Sequence, residues 1–345
     1  MLRENNLKKN SCYLIAEIGV NHNGDMNLAT KMIDAAKESG ADAVKFQTFT
    51  AENLVSQGTP KVKYQESTTS PNETHYEMIQ KLELKRKDHF MLKSYCESKN
   101  ISFLSTPYDL DSAKFLNEEL NVKAFKTASA DLVDLQLQEY ISLTGKVSIV
   151  SVGMATMEEI REVTNIYKQN KNDKLSLLHC VSNYPCSDES LNLKVIKTIR
   201  DTFNVPVGYS DHSLGFESAV VSVAYGANII EKHFTLDKNL PGPDHLASST
   251  PDEFTKLVSA VRRAEIMLGN PIKNIQEEEM DMAKVSRKSI VAVRNLEIGD
   301  IIKSTDLTLK RPGTGLMSKN LNSIIGRKII KRVSAGKQIH YQDIS

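Results

Sequence analysis

At 345 residues, with 40% apolar and 25% charged side chains, the chain is too long for most single cores and suits one large globular domain followed by a small one. A formal net charge of +1, the absence of Trp and the lack of a basic cluster interleaved with aromatics exclude a chain built for nucleic acid or anionic lipid. The stretch MLRENNLKKNSCYLIAEIG has no apolar signal core and no run approaches a membrane span. Cys12, Cys96, Cys180 and Cys186 show no paired close spacing, so a cytoplasmic protein with buried free thiols is expected.

Along the chain, short apolar runs alternate with segments whose apolar residues recur at i, i+3 and i+4, such as Leu28, Met32, Ala35 and Ala36. Strands are predicted at Tyr13–Ile18, Ala43–Phe46, Ile101–Leu104, Lys123–Phe125, Val147–Val150, Leu175–Leu178, Val205–Gly208 and Asn228–Ile230. Eight strands with helical crossovers, one of them over Glu217–Tyr225, imply an α/β fold: a closed parallel (β/α)8 TIM barrel. An open doubly wound sheet is the structural rival. It wants fewer strands and a Gly-x-Gly-x-x-Gly turn, which is absent. The interval Thr48–Asn100 is about twice the usual connection, with a Ser/Thr/Pro-rich piece (Glu66–Thr74) ahead of two amphipathic helices. It reads either as a lid or wall of the active face or as a surface excursion. A helix over Pro251–Leu268 and the turn Gly269–Pro271 close the barrel, residues 1–272. An acidic linker follows within 273–286, including Asn274–Lys284. Residues 287–345 then read as a compact β domain, with strand-like pieces Ser289–Val293, Ile301–Ile302, Leu307–Lys310 and Lys328–Val333 split by turns.

Polar residues gather where the strands end. They are Glu17; Lys45 and Gln47; Ser105 and Thr106; Lys126, Ser129 and Asp131; Ser151 and Gly153; His179, Ser182 and Tyr184. The last two strands run into GYSDHSLG (Gly208–Gly215) and IIEKHFT (Ile229–Thr235), which set His212 and His233 side by side with Ser210, Asp211 and Glu231. Barrel active sites form at this edge. A lone histidine is more often structural. Two at matching strand ends suit a divalent metal with positions left for water and substrate. Strand-to-loop transitions alone explain Ser and Asp, but not lysines inside the apolar runs VKFQ and AFKTAS. A buried ammonium needs a partner, and an anionic ligand is the expected one.

In combination, AEIGVNHNG, AVKFQTF, FLSTPYD, FKTASAD, LLHCVSNYP, GYSDHS, EKHFTLDKNLPGPDH and RPGTG closely resemble the sialic acid synthase family, over nearly the whole chain. That family includes the N-acetylneuraminate, legionaminate and pseudaminate synthases. The resemblance implies a phosphoenolpyruvate-condensing TIM barrel followed by an antifreeze-like SAF (β-clip) domain. The implied reaction joins phosphoenolpyruvate, N-acetylmannosamine and water into N-acetylneuraminate and phosphate. The alternative product is N,N'-diacetyllegionaminate or a related legionaminic or pseudaminic acid, made from a 2,4-diacetamido-2,4,6-trideoxyhexose. His212 and His233 would hold Mn²⁺ or Mg²⁺ as a Lewis acid for the sugar aldehyde, with no organic cofactor. Lys45 and Lys126 would face the carboxylate and phosphate, helped by Thr106, Ser129, Ser151 and Ser210. Glu17 matches the family's candidate proton-transfer group, and Gln47, Tyr184 and Asp244 match sugar contacts. Asp211 and Glu231 would steady the lysines or the metal shell. Arg311, in RPGTG, would reach the sugar's N-acyl group in the opposite subunit of a domain-swapped homodimer.

The chain departs from the family in two places. Where many members read Lys-x-x-Ser-Gly-Glu, it has KTASAD, with Ala130 and Asp131, and Ser182 stands where some neuraminate synthases carry Asn. Two other readings of the polar ring remain. One is a different metal-dependent barrel, such as a hydrolase or a sugar-phosphate aldolase; an aldolase that forms a Schiff base would need one isolated lysine and not His212 and His233. The other, of a different class, is a sugar-binding or structural barrel, for which two buried lysines are excessive.

Overall fold

Each apolar segment flanked by helical periodicity becomes a strand: β1 Tyr13–Gly19, β2 Ala43–Thr48, β3 Ser102–Pro107, β4 Ala124–Thr127, β5 Val147–Ser151, β6 Leu175–Cys180, β7 Val207–Asp211 and β8 Ile229–His233. The computed structural model describes residues 11–70 and 72–345. The first ten residues, read above for signals, lie outside the described residues, as does Pro71 of the Ser/Thr/Pro-rich piece. The paired strands are parallel, in the order β3-β2-β1-β8-β7-β6-β5-β4, and β3 and β4 lie side by side, so the ring is nearly closed.

Alternation along the strands sorts the side chains into an inner and an outer set. Tyr13, Ile15, Ala43, Leu104, Ala124, Ile149, Leu178 and Ile229 pack together as an apolar plug inside the barrel. Their sequence neighbours face the helices: Ala16, Ile18, Val44 and Phe46 on one side, Phe125, Val150, Leu177, Val207 and Tyr209 on the other. Burial on both faces explains why the strands read as continuous apolar runs.

The predicted strands stop short of the observed ones at their C-terminal ends. β2 continues past Phe46 to Thr48, β7 past Gly208 to Asp211, and β8 past Ile230 to His233. Gln47, Ser210, Asp211, Glu231 and His233 are therefore strand residues, held in place by ladder hydrogen bonds, while Ser129, Ser182, Tyr184 and His212 lie beyond the strand ends. The last barrel helix, Pro251–Leu268, has the boundaries that its sequence predicts. Thr250 accepts from the Glu253 N–H, Glu253 accepts in return from the Thr250 N–H, and Pro251 opens the first turn. The interval after β2 holds the two expected helices, His75–Lys81 and Arg86–Ser98, behind two shorter ones, Ala51–Leu54 and Lys63–Thr68.

Residues 270–345 form a separate unit with its own core of Ile290, Ala292, Leu296, Ile302, Ile324, Ile329, Val333, Ile339 and Ile344. Strands β9 Ser289–Ala292 and β10 Leu307–Lys310 pair antiparallel. The other expected strands contribute single bridges only, Ile301 to Lys328 and Leu296 to Val333, because turns interrupt them before a ladder can grow. The acidic segment before this domain is partly helical, Met280–Ser286, and its Lys284 carbonyl accepts from the Gly313 N–H at 2.7 Å. Charge divides between the units. Residues 270–345 carry 14 Lys and Arg against 8 Asp and Glu, and the rest of the chain 30 against 35. Among the described residues no helix is long and apolar enough to cross a membrane, and none of the four buried cysteines is in a disulfide.

Candidate active site

Two residues beyond the apolar plug (on β7, two beyond the side-chain-less Gly208), every strand turns a different kind of side chain into the barrel: Glu17, Lys45, Thr106, Lys126, Ser151, Cys180, Ser210 and Glu231. Period-two geometry makes this one ring, stacked directly on the plug. Its four charged members are 1–4% exposed. Lys45 Nζ lies 3.1 Å from Glu17 and 3.5 Å from Glu231, and donates to Thr106 Oγ1 at 2.9 Å. Lys126 Nζ lies 3.5 Å from the same Glu231 oxygen and donates to Ser151 Oγ at 2.7 Å and to the Thr127 carbonyl at 2.9 Å. Ser210 Oγ donates to Glu231 at 3.1 Å. The two lysines thus have carboxylate partners within the protein. The sequence expectation of an anionic ligand as the natural partner is corrected to that extent.

The two carboxyls are not equivalent. Burial drives both pKa values up, but Glu231 stands between two ammoniums, Lys126 and Lys45, and ends below its ordinary value. Glu17 has the close support of Lys45 alone and feels Glu231, so its pKa stays raised. One acid is fixed as an anion and the other holds a proton readily, which is how a site separates an electrostatic role from an acid–base role.

Above the ring stand the two histidines, ring centroids 5.4 Å apart. Nδ1 of His212 donates to the Val181 carbonyl at 2.8 Å, which commits that nitrogen and leaves Nε2 for other use. Burial pulls the His212 pKa down; the Cys180 thiol at 3.5 Å and the Val181 carbonyl outweigh it and hold the ring above its ordinary value. His233 is driven well below its ordinary value, first by burial and then by His212, so it stays neutral. Its Nδ1 is buried with no hydrogen-bond partner, 3.8 Å from Asp244. Among the described residues no third His, Cys, Asp or Glu completes a metal cluster with them. Two nitrogen donors, one on a tautomer fixed by a backbone carbonyl and one orphaned, fit a divalent cation whose other positions go to water or substrate oxygens. Tyr184 lies tilted over His212 at 4.0 Å between centroids and meets His233 edge-on at 5.2 Å.

Ring, histidines, Gln47, Ser129, Ser182, Tyr184 and Asp244 border one cavity of about 410 Å³, except that Thr106 reaches it only through Lys45. Gln47 Nε2 lies 3.4 Å from Glu17. Ser129 and Ser182 converge over Gly153, where a Cβ would come within 2.4 Å of Ser182 Oγ and 2.8 Å of Ser129 Oγ. Any other residue would push the hydroxyls apart. Asp131 does not border the cavity. It sits on the short helix Ser129–Val133, directly after cavity-lining Ala130, its carboxyl raised to about 7 by burial and then by Asp134. Arg311 belongs to the second unit, exposed in the turn after β10.

Several cavity residues escaped the sequence reading. Cys180 was read only as a free thiol, and Glu231, read as an accessory, is the common partner of both lysines. Leu54, Val55, Val62, Met78, Ile79 and Leu82 bring the long interval after β2 into the cavity as an apolar wall, joined by the polar His75 and Gln65. Of the two readings of that interval, the wall is the one observed. Its signal was amphipathic periodicity, which does not say what the apolar face covers.

The NeuB family matches residues 32–273 and the SAF domain residues 287–345. The chain is 43% identical over 338 residues to the N,N'-diacetyllegionaminic acid synthase of Legionella pneumophila, covering 97% of this chain and 95% of that one. It is 43% identical over 316 residues to the protein of the same name from Campylobacter jejuni, covering 91% and 94%. Among solved structures, the N-acetylneuraminic acid synthetase of Leptospira borgpetersenii in complex with citrate superposes with a TM-score of 0.72 at 36% identity, over 79% of this chain and 90% of that one. With the barrel, the ring at its C-terminal edge and the SAF domain in place, the chain belongs to the NeuB family, the enzymes that make sialic, legionaminic and pseudaminic acids.

Proposed function

We propose that this enzyme condenses phosphoenolpyruvate with 2,4-diacetamido-2,4,6-trideoxymannose and water to give N,N'-diacetyllegionaminate and phosphate. The observation that carries this reading is 43% identity, across nearly the full length, to two N,N'-diacetyllegionaminic acid synthases. It displaces N-acetylneuraminate, the product expected first from the sequence. The apolar wall from Leu54 to Leu82 supports it, since a 6-deoxy sugar with two N-acetyl groups presents more methyl surface than N-acetylmannosamine. Phosphate release measured with each sugar is the test. The expected result is a kcat/KM at least about tenfold higher for the diacetamido sugar, about 1.4 kcal/mol of discrimination. Equal or reversed preference would overturn the choice of acceptor.

The ring supplies the residues for each step. Lys45 and Lys126 meet the carboxylate and phosphate of the donor, with Ser129, Ser151, Ser182 and Ser210 as hydroxyl donors. C3 of phosphoenolpyruvate attacks the open-chain aldehyde, and C2 becomes cationic beside Glu231, the fixed anion. Water adds at C2, and the bond from C2 to the phosphate oxygen then breaks as the new C2 hydroxyl becomes the ketone, its proton leaving with the phosphate. The aldehyde oxygen gains a proton and the water loses one; Glu17, with its raised pKa, is the group suited to carry it. His212 and His233 would hold Mn²⁺ or Mg²⁺, which supplies Lewis-acid polarisation of the aldehyde. Phosphoenolpyruvate as donor fits the cytoplasm as the site of action, which cell fractionation checks.

The same reading includes a swapped homodimer in which Arg311 serves the partner's barrel. The surplus of basic residues in the second unit, against the acidic balance of the first, supports association between copies. Mixing two inactive proteins, Arg311→Ala and His212→Ala, tests it. If Arg311 acts in trans, random reassociation restores about a quarter of wild-type activity, because about half the dimers are mixed and each has one intact site. If each tail caps its own barrel, the mixture stays inactive.

A further inference from the structure

The sequence stretch NHNG (Asn21–Gly24) is prominent in the chain, yet none of its residues borders the cavity. Its two asparagines are engaged elsewhere, with the loop that follows β8. Asn21 Nδ2 donates to the Phe234 carbonyl at 2.9 Å and to Ser248 Oγ at 2.8 Å. Ser248 Oγ in turn donates to the carbonyl of Asp244 at 2.7 Å. Asn23 Nδ2 donates to the Pro241 carbonyl at 2.7 Å and lies 3.3 Å from Nε2 of His245, a fully buried ring.

The other end of that ring fixes its tautomer. The Thr235 hydroxyl donates to the Asp237 carbonyl at 3.0 Å, so it accepts from His245 Nδ1 at 2.7 Å, and Nε2 is left as the acceptor for Asn23. Gly242 completes the fit. A Cβ there would stand 2.8 Å from the His245 ring and 2.9 Å from Asn23 Oδ1. Both ends of the loop and the carbonyl of Asp244 are thus tied, directly or through Ser248, to two asparagines on the turn after β1.

We infer that this turn is a bracket that positions the β8 loop, and with it the Asp244 carboxylate, at the acceptor end of the cavity, with Asn23 as its principal positioning residue. The inference rests on the proposed reading of the cavity as a sugar site. Asn23 sits at a φ of 51°, in the left-handed region that favours Gly, Asn and Asp. Two substitutions therefore leave the turn geometry in reach while changing only the side chain. Asn23→Gly removes the amide. Asn23→Asp keeps the size but turns two donations into an acceptor facing the Pro241 carbonyl and His245 Nε2.

Two readouts test the bracket, with Asp244→Asn as reference. Hydrogen exchange of the amides between residues 240 and 248 should accelerate about tenfold in both Asn23 variants, with the helix Pro251–Leu268 unchanged. The KM for the diacetamido sugar should rise about tenfold, as in Asp244→Asn, while the KM for phosphoenolpyruvate stays within about twofold. Unchanged exchange in the loop would overturn the bracket. So would faster exchange with the acceptor KM unchanged in the Asn23 variants but raised in Asp244→Asn, or an equal rise in both KM values. If loop exchange accelerates but wild-type enzyme turns over no N-acylated sugar, the bracket as a physical tie stands and the sugar-site reading fails.

Discussion

Either His212→Ala or His233→Ala is expected to lower turnover by about a thousandfold or more, with the melting temperature changed by only a few degrees. Both rings stand at the ends of the last two strands, above the ring of charges, and contribute little to holding the barrel together. His212 makes one backbone hydrogen bond, to Val181, and His233 Nδ1 makes none. Treatment with a chelator should reproduce the loss in the wild-type enzyme, and Mn²⁺ should restore it. Calorimetric titration with Mn²⁺ should show one site in the wild type and none in either variant. A chelator-treated wild-type enzyme that keeps its full turnover would sink the proposal that these histidines carry a metal.

Glu231→Ala is expected to destabilise the barrel strongly while leaving phosphoenolpyruvate affinity intact or improved. The carboxylate lies 3.5 Å from each of two buried ammoniums, and removing it leaves Lys126 with no carboxylate partner among the described residues and Lys45 with Glu17 alone. Breaking a buried ion pair from one side costs about 3–5 kcal/mol. At roughly 2–4 °C per kcal/mol for a large domain, the melting temperature should fall by about 10 °C. The site meanwhile becomes more positive by one charge, so an anionic donor recovers part of that loss on binding and should raise the melting temperature more than it does in the wild type. Lys45→Met or Lys126→Met should act in the opposite sense, weakening phosphoenolpyruvate binding far more than sugar binding. Thermal denaturation with and without the donor separates the cases. A Glu231→Ala protein that melts with the wild type would mean that solvent, not the carboxylate, stabilises the lysines.

What could be read from sequence follows the range of the interactions. Strand count, barrel and small β domain were legible because apolar periodicity is local, and Pro251–Leu268 was bounded correctly because its cap signals lie within four residues. Lys45 and Lys126 were legible as anomalies within apolar runs. Their partners were not. Whether Lys126 faces Glu231 or an incoming anion depends on strand tilt around the ring, and the two residues are far apart in sequence. The same limit hid the role of Asn21 and Asn23, whose partners lie more than two hundred residues away. Strand ends were missed for a different reason. Polar residues inside a barrel carry the composition of loops, so Glu231 and His233 read as a boundary when they are the last rungs of a ladder.

The stacking of the charged ring on the apolar plug makes the site sensitive to phase. On seven of the eight strands the ring residue lies two positions beyond a plug residue, and a strand reverses its facing at each step. Gaining or losing a single residue within β2 or β8 would rotate Lys45 or Glu231 out of the barrel into the apolar layer beneath the helices, whatever replaced it inside. Point substitution can tune these strands, whereas a length change there is lethal to the chemistry. The apolar wall contributed by the long segment after β2 has no such constraint. Residues can be added, lost or exchanged in it without altering the parity of any strand. On the proposed reading, the ring that meets the donor and the wall that meets part of the acceptor can therefore change independently, the first by substitution alone and the second by length as well.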